Sequence, residues 1–143
     1  MIVLDTTVLV YAVGAEHELR DPCRRLIAAI AAGEIEAGTT VGVIQEFAHV
    51  RARRRGNAEA ASLAGDYADL LSPLIDVSGR ALRSGLKLFA ESERLGAFDA
   101  VLAATASNAS VRALVSANRA FGRVPGLAAV FPDARGVASL LPA

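Results

Sequence analysis

The apolar runs of this chain are short and unbroken, and they do not alternate with polar residues. Ile2-Val3-Leu4 opens the sequence, and Ala113-Leu114-Val115 and Leu127 to Phe131 repeat the pattern near its end. A strand with no polar face is covered on both sides, as in a parallel sheet held between helices. Ile35 to Thr39 and Leu74-Ile75-Asp76-Val77 read as two further strands. Between them lie helical patterns. Asp5-Thr6-Thr7 offers capping side chains ahead of Val8-Leu9-Val10-Tyr11. From His17 to Gly33, Leu19, Cys23, Leu26, Ile27 and Ile30 recur at three- and four-residue spacing. Thr39 or Thr40 caps a helix to Arg55 with Val43, Ile44, Phe47 and Val50 as its stripe. Asn57 caps another through Leu71, Ser78 starts a long one to Leu95, and Phe98 to Ala109 forms a nearly all-apolar one. Strands alternating with helices predict an α/β fold of three layers, α/β/α, around a central parallel sheet.

Composition narrows the function classes. At 143 residues and 53% hydrophobic, the chain suits a single domain, residues 1–143, and is too apolar for disorder. No apolar stretch approaches the ~18 residues of a membrane span. The start, Met1-Ile2-Val3-Leu4-Asp5, lacks the basic region of a signal peptide, and Cys23 is the only cysteine. A cytoplasmic protein without disulfides is therefore expected. Fifteen basic residues balance fifteen acidic ones, so any nucleic acid must be met through a local patch. Lys87 is the only lysine; the remaining basic residues are arginines, which bind phosphate bidentately but also abound in Ala-rich chains of this kind.

In open parallel sheets, ligands sit past the carboxyl ends of the strands. Asp5 lies directly after the first strand and Asn118 shortly after Val115. Glu46 sits in the helix that follows the second strand, at the edge of an apolar stripe. Asp99 begins the helix at Phe98 and is the only charge between Arg94 and Arg112. Asp5 and Asp99 each have a purely structural account as helix caps, and Glu46 has one as a partly solvated acid or as a partner of an arginine such as Arg53 or Arg54. Three acids on one rim, however, would repel one another unless a cation neutralised them. Oxygen ligands without His or Cys suit Mg²⁺ or Mn²⁺ rather than zinc. His17, His49 and Cys23 lack ligand spacing, and Gly122, Gly126 and Gly136 form no phosphate loop.

Four segments carry a resemblance: Val3-Leu4-Asp5-Thr6-Thr7-Val8-Leu9, Val43-Ile44-Gln45-Glu46-Phe47, Phe98-Asp99-Ala100-Val101-Leu102-Ala103-Ala104 and Leu114-Val115-Ser116-Ala117-Asn118-Arg119-Ala120-Phe121. In order and spacing the chain resembles the PIN-domain ribonucleases, in particular the VapC-type toxins of toxin–antitoxin pairs. The resemblance implies a PIN-like fold and an endoribonuclease that cleaves structured RNA, a tRNA or ribosomal RNA, by metal-activated water. It implies Asp5, Glu46 and Asp99 as catalytic, Mg²⁺- or Mn²⁺-binding acids, with Thr6, Thr7 and Ser116 beside them. It further implies a homodimer and a VapB-like antitoxin partner. Asn118 departs from the pattern, since relatives commonly carry Asp there. An amide keeps a carbonyl acceptor but loses the charge, so weaker metal binding is expected at this fourth position. The alternative is a catalytically impaired PIN-like module that binds RNA or a partner. Arg53 and Arg54, at the end of the Glu46 helix, and Arg119, beside Asn118, are candidates for RNA binding. Arg53 and Arg54 also have a structural account in the dipole of the helix that they close. A phosphatase with an aspartyl nucleophile would want an acid at position seven, where Thr7 stands, and a phospho-receiver would want a late lysine.

Overall fold

The computed structural model describes residues 1–143. Four parallel strands form one sheet in the order β2-β1-β3-β4: β1 Ile2–Leu4, β2 Ala37–Gly38, β3 Ala113–Val115 and β4 Ala129–Val130. The first strand in sequence lies inside the sheet, with Ile2 opposite both Ala37 and Ala113 and Leu4 opposite Val115. Ile2, Val3, Leu4, Leu114 and Val115 are all essentially inaccessible to solvent, as the unbroken apolar runs require. The α/β/α layering expected from the sequence is what forms, with seven helices around the sheet. No helix is long and apolar enough to cross a membrane.

The helices are α1 Thr6–Val13, α2 Arg20–Ala31, α3 Val41–Arg55, α4 Asn57–Leu70, α5 Gly79–Glu91, α6 Ala97–Asn108 and α7 Ala134–Leu140. Two caps fall where the sequence puts them: Thr40 accepts from the Val43 N–H and Ser78 from the Ala81 N–H. Other boundaries move. α2 starts at Arg20 because His17 Nδ1 accepts from the Leu19 N–H and holds a turn there. Gly56, at φ +83°, rather than Asn57, stands ahead of α4. The helix expected to reach Leu95 ends at Glu91, where the Ser92 hydroxyl accepts from the Arg94 and Leu95 N–H groups and turns the chain.

The strand expected over Leu74–Val77 is corrected to a single bridge. Ile75 N–H donates to the Thr39 carbonyl, and Thr40 pairs with Ile75 alone. Asp76 and Val77 are exposed, so they have no sheet neighbour to pair with or cover them. A short 3₁₀ turn at Arg119–Arg123 and the helix α7 were not anticipated.

The core runs from the sheet into α1, α2, α3 and α6 and joins Leu9, Leu26, Phe47, Leu102, Phe121 and Val137. α1 is anchored at its far end by two guanidinium groups. Arg24 Nε donates to the Ala12 carbonyl at 2.8 Å and Arg51 Nη1 to the Val13 carbonyl at 3.1 Å. These satisfy acceptors that every helix leaves open at its C-terminus. Arg51 also pairs with Glu59 of α4 at 2.6 Å.

Candidate active site

The carboxyl ends of the strands continue as a hydrogen-bonded rim. Asp5 N–H donates to the Val115 carbonyl, Ser116 N–H to the Val130 carbonyl, and the Thr39 hydroxyl to the Leu4 carbonyl. The ladder therefore carries Asp5 and Ser116 one residue past the last paired positions, side by side.

Asp5 precedes α1 in extended conformation, yet its carboxylate does not cap the helix. Oδ2 instead accepts from Ser116 Oγ at 2.6 Å and Thr7 Oγ1 at 3.1 Å. Thr7 Oγ1 in turn accepts from the Ala117 N–H at 2.9 Å. Asp5 is only 3% exposed, so a carboxylate there must be held by donors or by a cation. The capping role open to it on sequence grounds is thereby excluded. Asp99 is no cap either: Gly96 precedes α6, and Asp99 lies within the first turn, where the helix dipole favours a negative charge. Asp99 Oδ2 accepts from Asn118 Nδ2 at 2.9 Å.

Glu46 projects from α3 and is exposed, with no ion pair to Arg53 or Arg54. Its pKa is nonetheless raised, first by partial desolvation and then by the charges of Asp5 and Asp99. That of Asp99 is raised by burial and by Asp5, and the Asn118 amide opposes the shift. The three acids thus share one field, although no three His, Cys, Asp or Glu side chains close on a metal site by themselves.

Asn118 has a defined orientation. The Ala120 N–H donates to its Oδ1 at 3.1 Å, which fixes the carbonyl end and leaves the NH₂ end to face Asp99. Its backbone N–H donates to Ser116 Oγ. Asn118 is therefore tied to Asp99 as a donor rather than aimed at the acids as an oxygen ligand.

The residues fit a hard divalent cation. Both hydrogen bonds to Asp5 fall on Oδ2, leaving Oδ1 without a protein partner. The Thr6 hydroxyl is buried and also lacks a partner. It stands near enough to Glu46 to favour its ionised form, without an ordinary hydrogen bond. Oxygen donors only, with unspent negative charge, match magnesium-like ions. Asp5, Glu46 and Asp99 would hold such an ion.

Among the arginines, Arg53 and Arg54 are exposed and neither touches the acids. Arg53 follows Glu46 by two turns on nearly the same helix face, about 10 Å along the axis. Arg119 lies over the Phe131 ring, 3.8 Å from its centroid. Sequence reasoning missed Phe131 as part of this rim because it counted Phe131 as the end of the last strand, which stops at Val130.

A model of the PIN domain matches residues 2–127. Ribonuclease VapC7 of Mycobacterium tuberculosis (strain ATCC 25618 / H37Rv) is 54% identical over 145 residues, spanning 99% of this chain and 98% of that protein. The crystal structure of VapBC2 from Rickettsia felis bound to a DNA fragment from their promoter superposes with a TM-score of 0.72. That likeness covers 93% of this chain and all of the other at 22% identity, and it concerns the fold. With the rim acids and the sheet order in place, the sequence match settles the kinship: this chain belongs to the PIN-domain family.

Proposed function

We propose that this protein is a VapC-type endoribonuclease, the toxin of a VapBC-type pair, that cuts structured RNA at the Asp5–Glu46–Asp99 rim. The observation that carries the reading is the buried Asp5 carboxylate, held by Ser116 and Thr7 while its second oxygen stays free. A buried carboxylate held by two hydroxyl donors on one oxygen, beside two acids whose pKa values are raised, is a site prepared for positive charge. The 54% identity to a ribonuclease supports the reaction class.

Mg²⁺ or Mn²⁺ is the proposed cofactor. When bound, such a cation neutralises charge at a phosphodiester and acidifies water. Ser116 and Thr7 keep Asp5 in one rotamer, and Asn118 does the same for Asp99. Glu46, the exposed acid of the three, is open to solvent and is proposed to accept a proton from water. Hydrolysis in this way leaves a 5′-phosphate and a 3′-hydroxyl. Arg53, Arg54 and Arg119 are proposed to meet the RNA backbone.

A homodimer and a VapB-like antitoxin complete the proposal. For the homodimer, α5 offers support. Leu82, Leu86 and Phe89, between 43% and 47% exposed, recur at spacings of four and three and form one face. Arg80 and Arg83 flank its first part and Lys87 its second, and Glu91 closes the helix. Antiparallel pairing with a second α5 sets opposite charges together around this stripe.

Incubation of purified protein with tRNA and ribosomal RNA in Mg²⁺ or Mn²⁺ tests the activity. Asp5→Ala and Asp99→Ala should each abolish cleavage while circular dichroism stays native. Undiminished cleavage by both variants overturns the assignment.

A further inference from the structure

Arg119 carries a second feature of the rim that the acids do not explain. Its guanidinium is exposed and makes no hydrogen bond or ion pair with the protein, the Arg51–Glu59 bridge being the only ion pair in the fold. Yet it is not loose, because its central carbon lies over the Phe131 ring, 3.8 Å from the centroid. Phe131 follows β4, and Arg119 follows Asn118 after β3, so two neighbouring strand ends deliver the pair. Between them opens a recess of about 120 Å³, lined by Ser116, Asn118, Arg119, Gly122, Val130 and Phe131. Ser116 and Asn118 also touch Asp5 and Asp99, which makes this recess continuous with the acidic rim.

We infer that the Arg119–Phe131 stack is a subsite for the RNA phosphate next to the one that is cut. Stacking uses the face of the guanidinium and leaves its N–H edge free, and that edge is the part that grips phosphate oxygens two at a time. The ring removes much of the rotamer entropy that binding would otherwise have to overcome. The placement answers an electrostatic need, because three carboxylates repel an incoming polyanion and a fixed cation beside them offsets that repulsion locally. A chain with zero formal charge has no general attraction for RNA to fall back on.

The inference rests on the ribonuclease reading, and the test separates the two. Binding of a fluorescein-labelled hairpin oligoribonucleotide is measured in divalent-free buffer, where no cleavage occurs, for the wild type, Arg119→Ala, Arg119→Lys, Phe131→Leu and the Arg119→Ala/Phe131→Leu double variant. Arg119→Ala should weaken binding by about tenfold. It should also make the slope of log affinity against log salt shallower by about 0.7 to 0.9. Lysine should restore the slope but only part of the affinity. Phe131→Leu, its fold checked by thermal melting, should weaken binding in the wild type and have no further effect once Arg119 is gone. Unchanged affinity and slope in Arg119→Ala overturn the subsite while leaving the nuclease reading intact. No RNA binding by the wild type, together with no cleavage in Mg²⁺ or Mn²⁺, overturns both.

Discussion

At the scale of single residues, the acids of the rim oppose the fold that holds them. Asp99 and Glu46 have folded-state pKa values raised above their ordinary 3.8 and 4.5. Between those values and the raised ones the folded protein binds more protons than the unfolded chain, so its stability falls as pH increases. Their stabilising contribution is fully present below the ordinary values and is lost as pH rises through the folded ones. Thermal melts from pH 4 to 7 in EDTA should show this decline, and saturating Mn²⁺ should reverse it at neutral pH. Asn118→Asp sharpens the contrast. An added carboxylate facing Asp99 should lower the metal-free melting temperature at neutral pH and strengthen Mn²⁺ binding by about tenfold or more, as expected for one more opposing charge near the ion. Calorimetric titration reads the second effect; equal affinities would place Asn118 outside the influence of the bound ion. The sequence made the rim positions of Asp5 and Asp99 legible, because an acid next to an unbroken apolar run is conspicuous. It did not reveal that Asn118 would turn its amide toward Asp99, which depends on a backbone N–H at Ala120.

Elements hold these residues through close contacts rather than through length. The strands are two or three residues long, so the helices packed on them must fix their positions. α5 and α6 meet at Gly85, where an added Cβ would lie 2.6 Å from Val101 Cα and 2.9 Å from its nitrogen. Backbone cannot yield as a side-chain tip can, so Gly85→Ala should force the helices apart and cost about 1–3 kcal/mol. Urea denaturation should show the lower midpoint, and because α6 carries Asp99, cleavage should weaken as well. On the other face, Phe47 of α3 meets Tyr67 of α4 edge-on with centroids 5.0 Å apart, and the Tyr67 hydroxyl donates to the Leu9 carbonyl. Burial pushes the Tyr67 phenol and the Cys23 thiol up to about 12, which leaves both inert at physiological pH. Helix positions were readable from periodicity, since burial of Leu19, Cys23, Leu26 and Ile30 follows their spacing. The supposed strand at Leu74–Val77 was not, because four apolar-rich residues look alike whether one or all of them reach a sheet edge.

For the whole molecule, the unpartnered face of α5 sets the expectation. Sedimentation velocity at micromolar concentration should give a dimer, and Leu86→Glu, which buries a charge in the pairing stripe, should give a folded monomer. A wild type that sediments as a monomer would remove the dimer. RNA cleavage by the monomeric variant would show that each protomer carries a complete site.

The sheet order has a consequence for how such a protein is made. β1 and Asp5 are synthesised first but lie between strands that are synthesised later, and the shorter of the two hydroxyl bonds that hold Asp5 comes from Ser116, 111 positions downstream. A growing chain on the ribosome therefore bears the acid for most of its synthesis without the groups that make it a site. Pairing across so long a separation comes late in folding. A site built in this order is completed only once β3 has emerged and paired with β1, so it is among the last features of the fold to form.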